Sequence, residues 1–307
     1  MRLLRWTGPC RICRKPGGPV NSDRAICADG RRIRKENKEK PDMKQEYTSQ
    51  AELINGDLRV RVEAGELRSF RRGDREYMHD PSEPGWGHSD TEMFPVIGPT
   101  AEAAYRVQVP RGNAIQDQHG LLRELAYSCT VREKDRAVFV REYKAGTPVA
   151  NSKYPGRSTA RLLIWPFSFR VEKHFQLGPG SLEITFRVEG EKDMPYMFGY
   201  HPAFRLGGEG SLEACGREFE LSEILAAGDR ALEVPACETV FLGGDTPLRI
   251  HTAGFGNFML WSPDPGMVCV EPITYYPYTH GPARLHEGFR FLDSKKAEFS
   301  VRLQPAG

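Results

Sequence analysis

An all-β fold, a large antiparallel β-sandwich, is what this 307-residue sequence predicts, on three observations. Apolar residues recur with period two: Leu58, Val60 and Val62 alternate with Arg59 and Arg61, and Leu182, Ile184, Phe186 and Val188 alternate with Glu183, Thr185 and Arg187. Amphipathic helices are scarce, residues 222–227 offering about one turn, so the helical crossovers that parallel strands require are missing. Clusters of Gly, Pro, Asn and Asp separate the apolar runs, as turns between strands would.

Residues 1–42 lack that pattern. They hold 12 Lys/Arg against 5 Asp/Glu, a net +7 within an overall charge of +2, and include the run Arg31-Arg32-Ile33-Arg34-Lys35. A basic, disordered tail is expected there, with Met43 a second candidate for the true start. Residues 43–307 read as a single domain, mildly acidic at −5 once the tail is set aside. Its strands are expected over residues 58–62, 137–143, 167–175, 182–188 and 299–303. The near-balance of charge argues against nucleic acid as a partner. The longest apolar stretch, residues 162–167, is far short of the ~20 residues that span a bilayer, so no membrane association is expected. No secretory signal stands out, which makes a cytoplasmic location the expectation. Seven scattered cysteines, an odd number, favour reduced thiols over disulfides.

Cys10-x-x-Cys13 with Cys27 supplies three thiols but no fourth zinc ligand. His79 and His88 flank the Pro/Gly-rich loop Asp80-Pro-Ser-Glu-Pro-Gly-Trp-Gly87 and read either as ligands or as solvated loop side chains. P-loop, dinucleotide, zincin and nucleophile-elbow motifs are absent. Three segments instead set ionisable side chains beside rigid or turn-forming neighbours: Gln118-His119-Gly120-Leu121-Leu122-Arg123, Phe198-Gly199-Tyr200-His201-Pro202-Ala203-Phe204 and Met267-Val-Cys-Val-Glu271-Pro272. Singly, His201 reads as a satisfied core histidine, Glu271 as a strand-end acid facing water, and His119 with Arg123 as a surface pair. Jointly they supply an acid/base, a carboxylate and two polar anchors, with Tyr200, Phe204, Trp261, Tyr275 and Tyr276 as walls for a sugar ring.

At these segments the chain resembles the aldose 1-epimerase family of galactose mutarotase-like proteins, and especially a divergent bacterial branch. The carriers are Phe94-Pro-Val-Ile-Gly98, His119-Gly-Leu-Leu-Arg123, Gly199-Tyr-His-Pro-Ala-Phe204 and Val268-Cys-Val-Glu-Pro272, in the family's order, within a match over residues 46–303. The resemblance implies a one-domain supersandwich and an isomerase that interconverts hexose anomers in carbohydrate metabolism. It implies Glu271 as general base, His201 as general acid, and His119 and Arg123 as substrate-binding residues. No metal or organic cofactor is implied, and the partner is a small-molecule sugar. Both acid and base are expected within their ordinary pKa ranges, giving a bell-shaped pH profile. The sequence departs from the family in having Pro99-Thr100 where an arginine is common and Ile273 where a tryptophan is common; Tyr275 and Tyr276 are the expected replacement for that wall. Glu238 and Asp245 both remain candidates for a further acidic sugar contact. These departures leave a non-catalytic sugar-binding sandwich as one alternative. A hexose 6-phosphate mutarotase, with Arg106, Arg123, Arg157 and Arg161 about the phosphate, is another.

Overall fold

The computed structural model describes residues 49–207 and 210–306. The tail over residues 1–42, the alternative start at Met43 and the Cys10, Cys13, Cys27 set lie outside the described residues.

The alternating segments become strands. Leu58–Glu63, Arg136–Tyr143, Leu182–Gly190 and Lys296–Pro305 contain the expected stretches, and the short helix is Leu221–Ala227. The remaining strand is Phe169–Leu177, two residues later than predicted. Pro166 cannot donate to a ladder, and the Ser168 N–H donates to Glu191 Oε1 (2.7 Å) rather than to a neighbouring strand.

Two antiparallel sheets hold most of the strand residues. The larger has nine strands in the order Arg217–Phe219, Leu212–Ala214, Thr239–Leu242, Leu248–Ala253, Lys296–Pro305, Leu182–Gly190, Phe169–Leu177, Arg136–Tyr143, Ser128–Arg132. Its centre is the hairpin pairing Phe169 with Gly190 through Leu177 with Leu182. The second runs Leu232–Val234, Asn257–Trp261, Met267–Ile273, Gly199–Tyr200, Glu92–Met93, with Ala203–Arg205 also on Met267–Ile273. Between the sheets lies an aromatic core: Phe198 stacks on Phe299 at 4.6 Å, and Phe186 meets Phe198 and Tyr200 at 5.2 and 5.0 Å. Each such ring, fully buried, contributes on the order of 1.5–3 kcal/mol.

Tyr200 and Phe204, expected as sugar walls, are buried in this core instead. Strand alternation explains it: with His201 facing one side, Tyr200 faces the other. Cys215 and Cys237 form a disulfide (Cα–Cα 6.0 Å), which corrects the expectation of reduced thiols for this pair. Cys215 sits on the turn after Leu212–Ala214, and Cys237 just ahead of Thr239–Leu242, which pairs with that strand.

A charged cluster interrupts the core. Lys173 occupies the apolar phase of Phe169–Leu177 and is fully buried. Its Nζ is 2.8 Å from Asp90 Oδ2 and 2.7 Å from Glu92 Oε1. Arg141 Nη1 meets Glu92 Oε2 at 2.8 Å, and the Tyr200 hydroxyl donates to Asp90 Oδ2 at 2.6 Å.

Candidate active site

Strand register brings the two principal side chains together. Gly199 pairs with Ile273 and Ala203 with Cys269, so the same antiparallel register sets His201 across from Glu271. Pro202 O accepts from Val270 N–H between them (3.3 Å). His201 Nε2 lies 3.4 Å from Glu271 Oε1, with both side chains almost wholly enclosed. The Glu271 carboxyl has no other partner among the described residues, and His201 Nδ1 is buried without one. A polar pair so enclosed and so poorly satisfied is costly unless a ligand completes it.

Rings clasp the imidazole. Trp86 stacks on His201 at 4.3 Å and 27°, while Trp261 and His119 meet it edge-on at 5.8 and 5.4 Å. Trp86 comes from the Pro/Gly-rich loop, which is pinned at both ends: His79 Nε2 bonds Trp86 O (2.9 Å), and Glu66 Oε1 accepts from the Ser89 N–H (2.6 Å) and hydroxyl (2.9 Å). His79 is therefore a buried fastener, and His88 lines the cleft. Among the described residues no group of three or more His, Cys, Asp or Glu is placed to hold a metal.

The third segment turns sharply. His119 and Gly120 both have left-handed backbone, φ 73° and 71°, and a Cβ on Gly120 would lie 2.2 Å from Phe94 O. Only glycine fits there. The turn is tied to Phe94-Pro-Val-Ile-Gly98, since His119 N donates to Ile97 O (3.1 Å) and Phe94 N to His119 O (3.1 Å). His119 Nδ1 also lies 2.9 Å from Ile97 O. A carbonyl only accepts, so Nδ1 carries the proton and Nε2 remains an acceptor.

Burial dominates the electrostatics and corrects the expectation of ordinary ranges. It raises Glu271 well above the usual carboxylate value. It lowers His201 to about 3, helped by the positive charge of Arg123. His119 is likewise held well below the usual histidine value, first by burial, then by His201 and Arg123. Both shifts favour the uncharged form of the His201–Glu271 pair, with its one proton on the carboxyl rather than on the imidazole.

These groups open onto a cleft of about 750 Å³, whose apolar wall includes Trp86, Ile97, Met259, Trp261 and Tyr278. Arg123 lines it with no ion-pair or hydrogen-bond partner among the described residues, as does Arg157; Arg106 and Arg161 do not line it. Lys153, which the sequence reading missed, reaches the cleft while contacting Asp117 (3.6 Å) and donating to Gln118 O (3.1 Å). Its loop is anchored by Asn151, whose Nδ2 donates to Asp117 Oδ2 and Ala160 O, both at 2.8 Å. Pro99 lines the cleft, but Ile273 is buried behind it, and Tyr275 and Tyr276 are not on its walls. The rebuilt wall is Trp86, Trp261 and Tyr278; Trp86 was visible in the sequence as an aromatic inside a Pro/Gly loop. Neither Glu238 nor Asp245 reaches the cleft, where Asp229 is the second carboxylate beside Glu271. A wider depression of about 960 Å³, lined by Arg111, Lys144, Glu191 and other charged residues, contains no histidine.

A family model described as aldose 1-epimerase matches residues 105–244, a span that includes His119, Arg123 and His201 and ends before Glu271. Among solved structures, the galactose mutarotase related enzyme from Lactobacillus acidophilus superposes with a TM-score of 0.66 at 16% identity, over 84% of this chain and 97% of its own. A galactose mutarotase-like protein from Lactobacillus casei gives 0.68 at 16% identity, over 84% and 100%. An aldose epimerase homologue from C. elegans gives 0.58 at 9% identity, over 84% and 98%. At these identities the likeness is one of fold. No curated protein matches the sequence.

Proposed function

We propose, on the premise that this chain belongs to the aldose 1-epimerase, galactose mutarotase-like family, that its cleft interconverts the α and β anomers of a hexose by acid/base opening of the ring. The observation that carries the reading is the enclosed His201–Glu271 pair, 3.4 Å apart and otherwise unsatisfied. Ring opening needs a proton taken from the anomeric hydroxyl and one given to the ring oxygen, two atoms on the same carbon. Two groups this close can reach both.

In the step itself the Glu271 carboxylate accepts the hydroxyl proton and His201 delivers one to the ring oxygen. The C1–O5 bond breaks and C1 becomes a free aldehyde. Rotation about C1–C2 and reclosure, with the proton transfers reversed, yield the other anomer. The working form, carboxylate with imidazolium, differs from the resting form only in the place of one proton. Its net charge is unchanged, so burial opposes it less than it opposes either lone charge. His119 Nε2 accepts from a sugar hydroxyl, and the tryptophans cover apolar ring faces.

The test is NMR exchange between the anomers of D-glucose and D-galactose. Exchange faster than buffer, lost in His201→Ala, is the expected result. Binding without accelerated exchange would instead make this a sugar-binding sandwich.

The proton count predicts the pH profile. Activity fails on the acid side when the pair takes a second proton, at His201, and on the alkaline side when it loses its only one, from Glu271. With His201 lowered to about 3 and Glu271 raised, kcat/KM is expected to show no acid limb in the ordinary histidine range. An acid limb with its midpoint near 6.5, the usual histidine value, would overturn this assignment.

A second reading, a phosphorylated hexose, is favoured by one observation: Arg123 and Arg157 line the cleft beside Lys153, with no carboxylate of the described residues in ion-pair contact with either guanidinium. Guanidinium groups suit phosphate geometry. On this reading hexose 6-phosphates show kcat/KM at least about tenfold above the free sugars, from one additional charged hydrogen bond of ~1.5–3 kcal/mol, and Arg123→Gln removes most of the difference. Equal kcat/KM values for the two would remove it.

A further inference from the structure

The charged cluster in the core lies directly beneath the imidazole. Thr91 and His201 face each other across the strand pair Glu92–Met93 and Gly199–Tyr200: His201 N donates to Thr91 O (2.8 Å) and Thr91 N donates to His201 O (3.2 Å). Asp90 and Glu92 flank Thr91, and both carboxylates go to Lys173 on the opposite sheet. Tyr200, the residue before His201, sends its hydroxyl down to Asp90 (2.6 Å) while the imidazole goes up into the cleft. Three of the residues bracketing this backbone pair are thus tied, directly or through Asp90, to a single ammonium. Arg141 closes the cluster at Glu92 (2.8 Å) and leaves two carboxylates balanced by two cations, all buried or nearly so.

Charge balance explains how the cluster is tolerated, but stability alone is a poor reason for it. A well-packed apolar replacement of a buried ion pair is often as stable or more so. What directional bonds add is a fixed register and orientation, here at the backbone that aims His201.

We propose that the Lys173–Asp90–Tyr200 chain is a positioning device for His201, holding its backbone in the one placement from which the imidazole meets both Glu271 and the sugar. The proposal rests on His201 being half of the acid/base pair. Lys173, Asp90 and Tyr200 touch no substrate; they act through the strand.

Two variants test it. Tyr200→Phe removes one hydroxyl. The double variant Asp90→Asn with Lys173→Met removes one charge of each sign, so the remaining carboxylate, Glu92, keeps Arg141 as its cation. Each is expected to lower kcat about tenfold through misplacement of the imidazole, with KM changed less than about twofold and the thermal midpoint nearly kept. In ¹⁵N-histidine spectra the His201 ring signals are expected to broaden or shift while those of His119 stay. A variant that keeps both its kcat and its His201 signals overturns the positioning role. Should the wild-type protein turn over no sugar, the reading of the site fails, and the His201 signals still decide this proposal: movement in Tyr200→Phe upholds it, and an unmoved ring overturns it.

Discussion

Glu271→Gln is expected to lower kcat for anomer exchange by roughly 10²–10⁴-fold, the usual worth of a positioned acid/base. The amide keeps the size and much of the hydrogen-bonding capacity of the carboxyl but cannot exchange a proton with the sugar. Because Glu271 is enclosed and, among the described residues, has His201 as its only ion-pair partner, no neighbouring carboxylate is placed to take over; Asp229 stands at the rim among exposed residues. Sugar binding, measured by titration calorimetry, should change little. His201→Ala should cost a similar factor, and the double variant scarcely more than either single one, since the two act as a unit. Steady-state exchange rates across the four proteins check this. Additive losses, or a Glu271→Gln variant as fast as wild type, would show that the pair does not share one reaction.

Lys173→Met alone is expected to destabilise the fold by about 3–5 kcal/mol, the penalty for breaking a buried ion pair from one side. Glu92 would still have Arg141, so the stranded group is Asp90, left with the Tyr200 hydroxyl. Burial already pushes Asp90 up to about 6 with the ammonium in place, and removing Lys173 raises it further. A carboxyl whose folded pKa lies above its unfolded value contributes its stability below the unfolded value and loses it as pH rises through the folded one. The deficit of the variant should therefore be greatest at alkaline pH and narrow on acidification. Urea unfolding at several pH values checks both size and sign. Adding Asp90→Asn should recover most of the loss, which separates the electrostatic penalty from the positioning role.

Much of this architecture was legible in the alternation of the chain. The pattern Leu182, Ile184, Phe186, Val188 named a strand because one face is core and the other solvent. Gly120 was legible as a turn-forming neighbour of His119, though not that its constraint is the Phe94 carbonyl. The cluster left a mark that period-two reading can see: Phe169, Val171, Lys173, Phe175 and Leu177 share one phase, and a lysine there has to find buried acids. Which acids answer it depends on the facing sheet, and local sequence says nothing of that. Lys153 escaped because loop residues have no period, and its place is set by Asn151 and Asp117. The pKa shifts escaped because burial is a property of the whole fold: Glu271 was legible as an acid on an apolar strand, but not as a group whose enclosure raises its pKa.

The pairing of Gly199 with Ile273 and Ala203 with Cys269 has a consequence for how such a protein can diversify. A single-residue insertion or deletion inside either strand would turn His201 or Glu271 toward the interior, so on the proposed function the lengths of these segments are fixed by the need to keep the two together. The tryptophan-bearing loop over residues 80–89 and the lysine-bearing loop over residues 151–160 are under no such restriction. Those rims can be lengthened, shortened or recharged for a different ligand while the pairing of His201 with Glu271 beneath them stays unaltered.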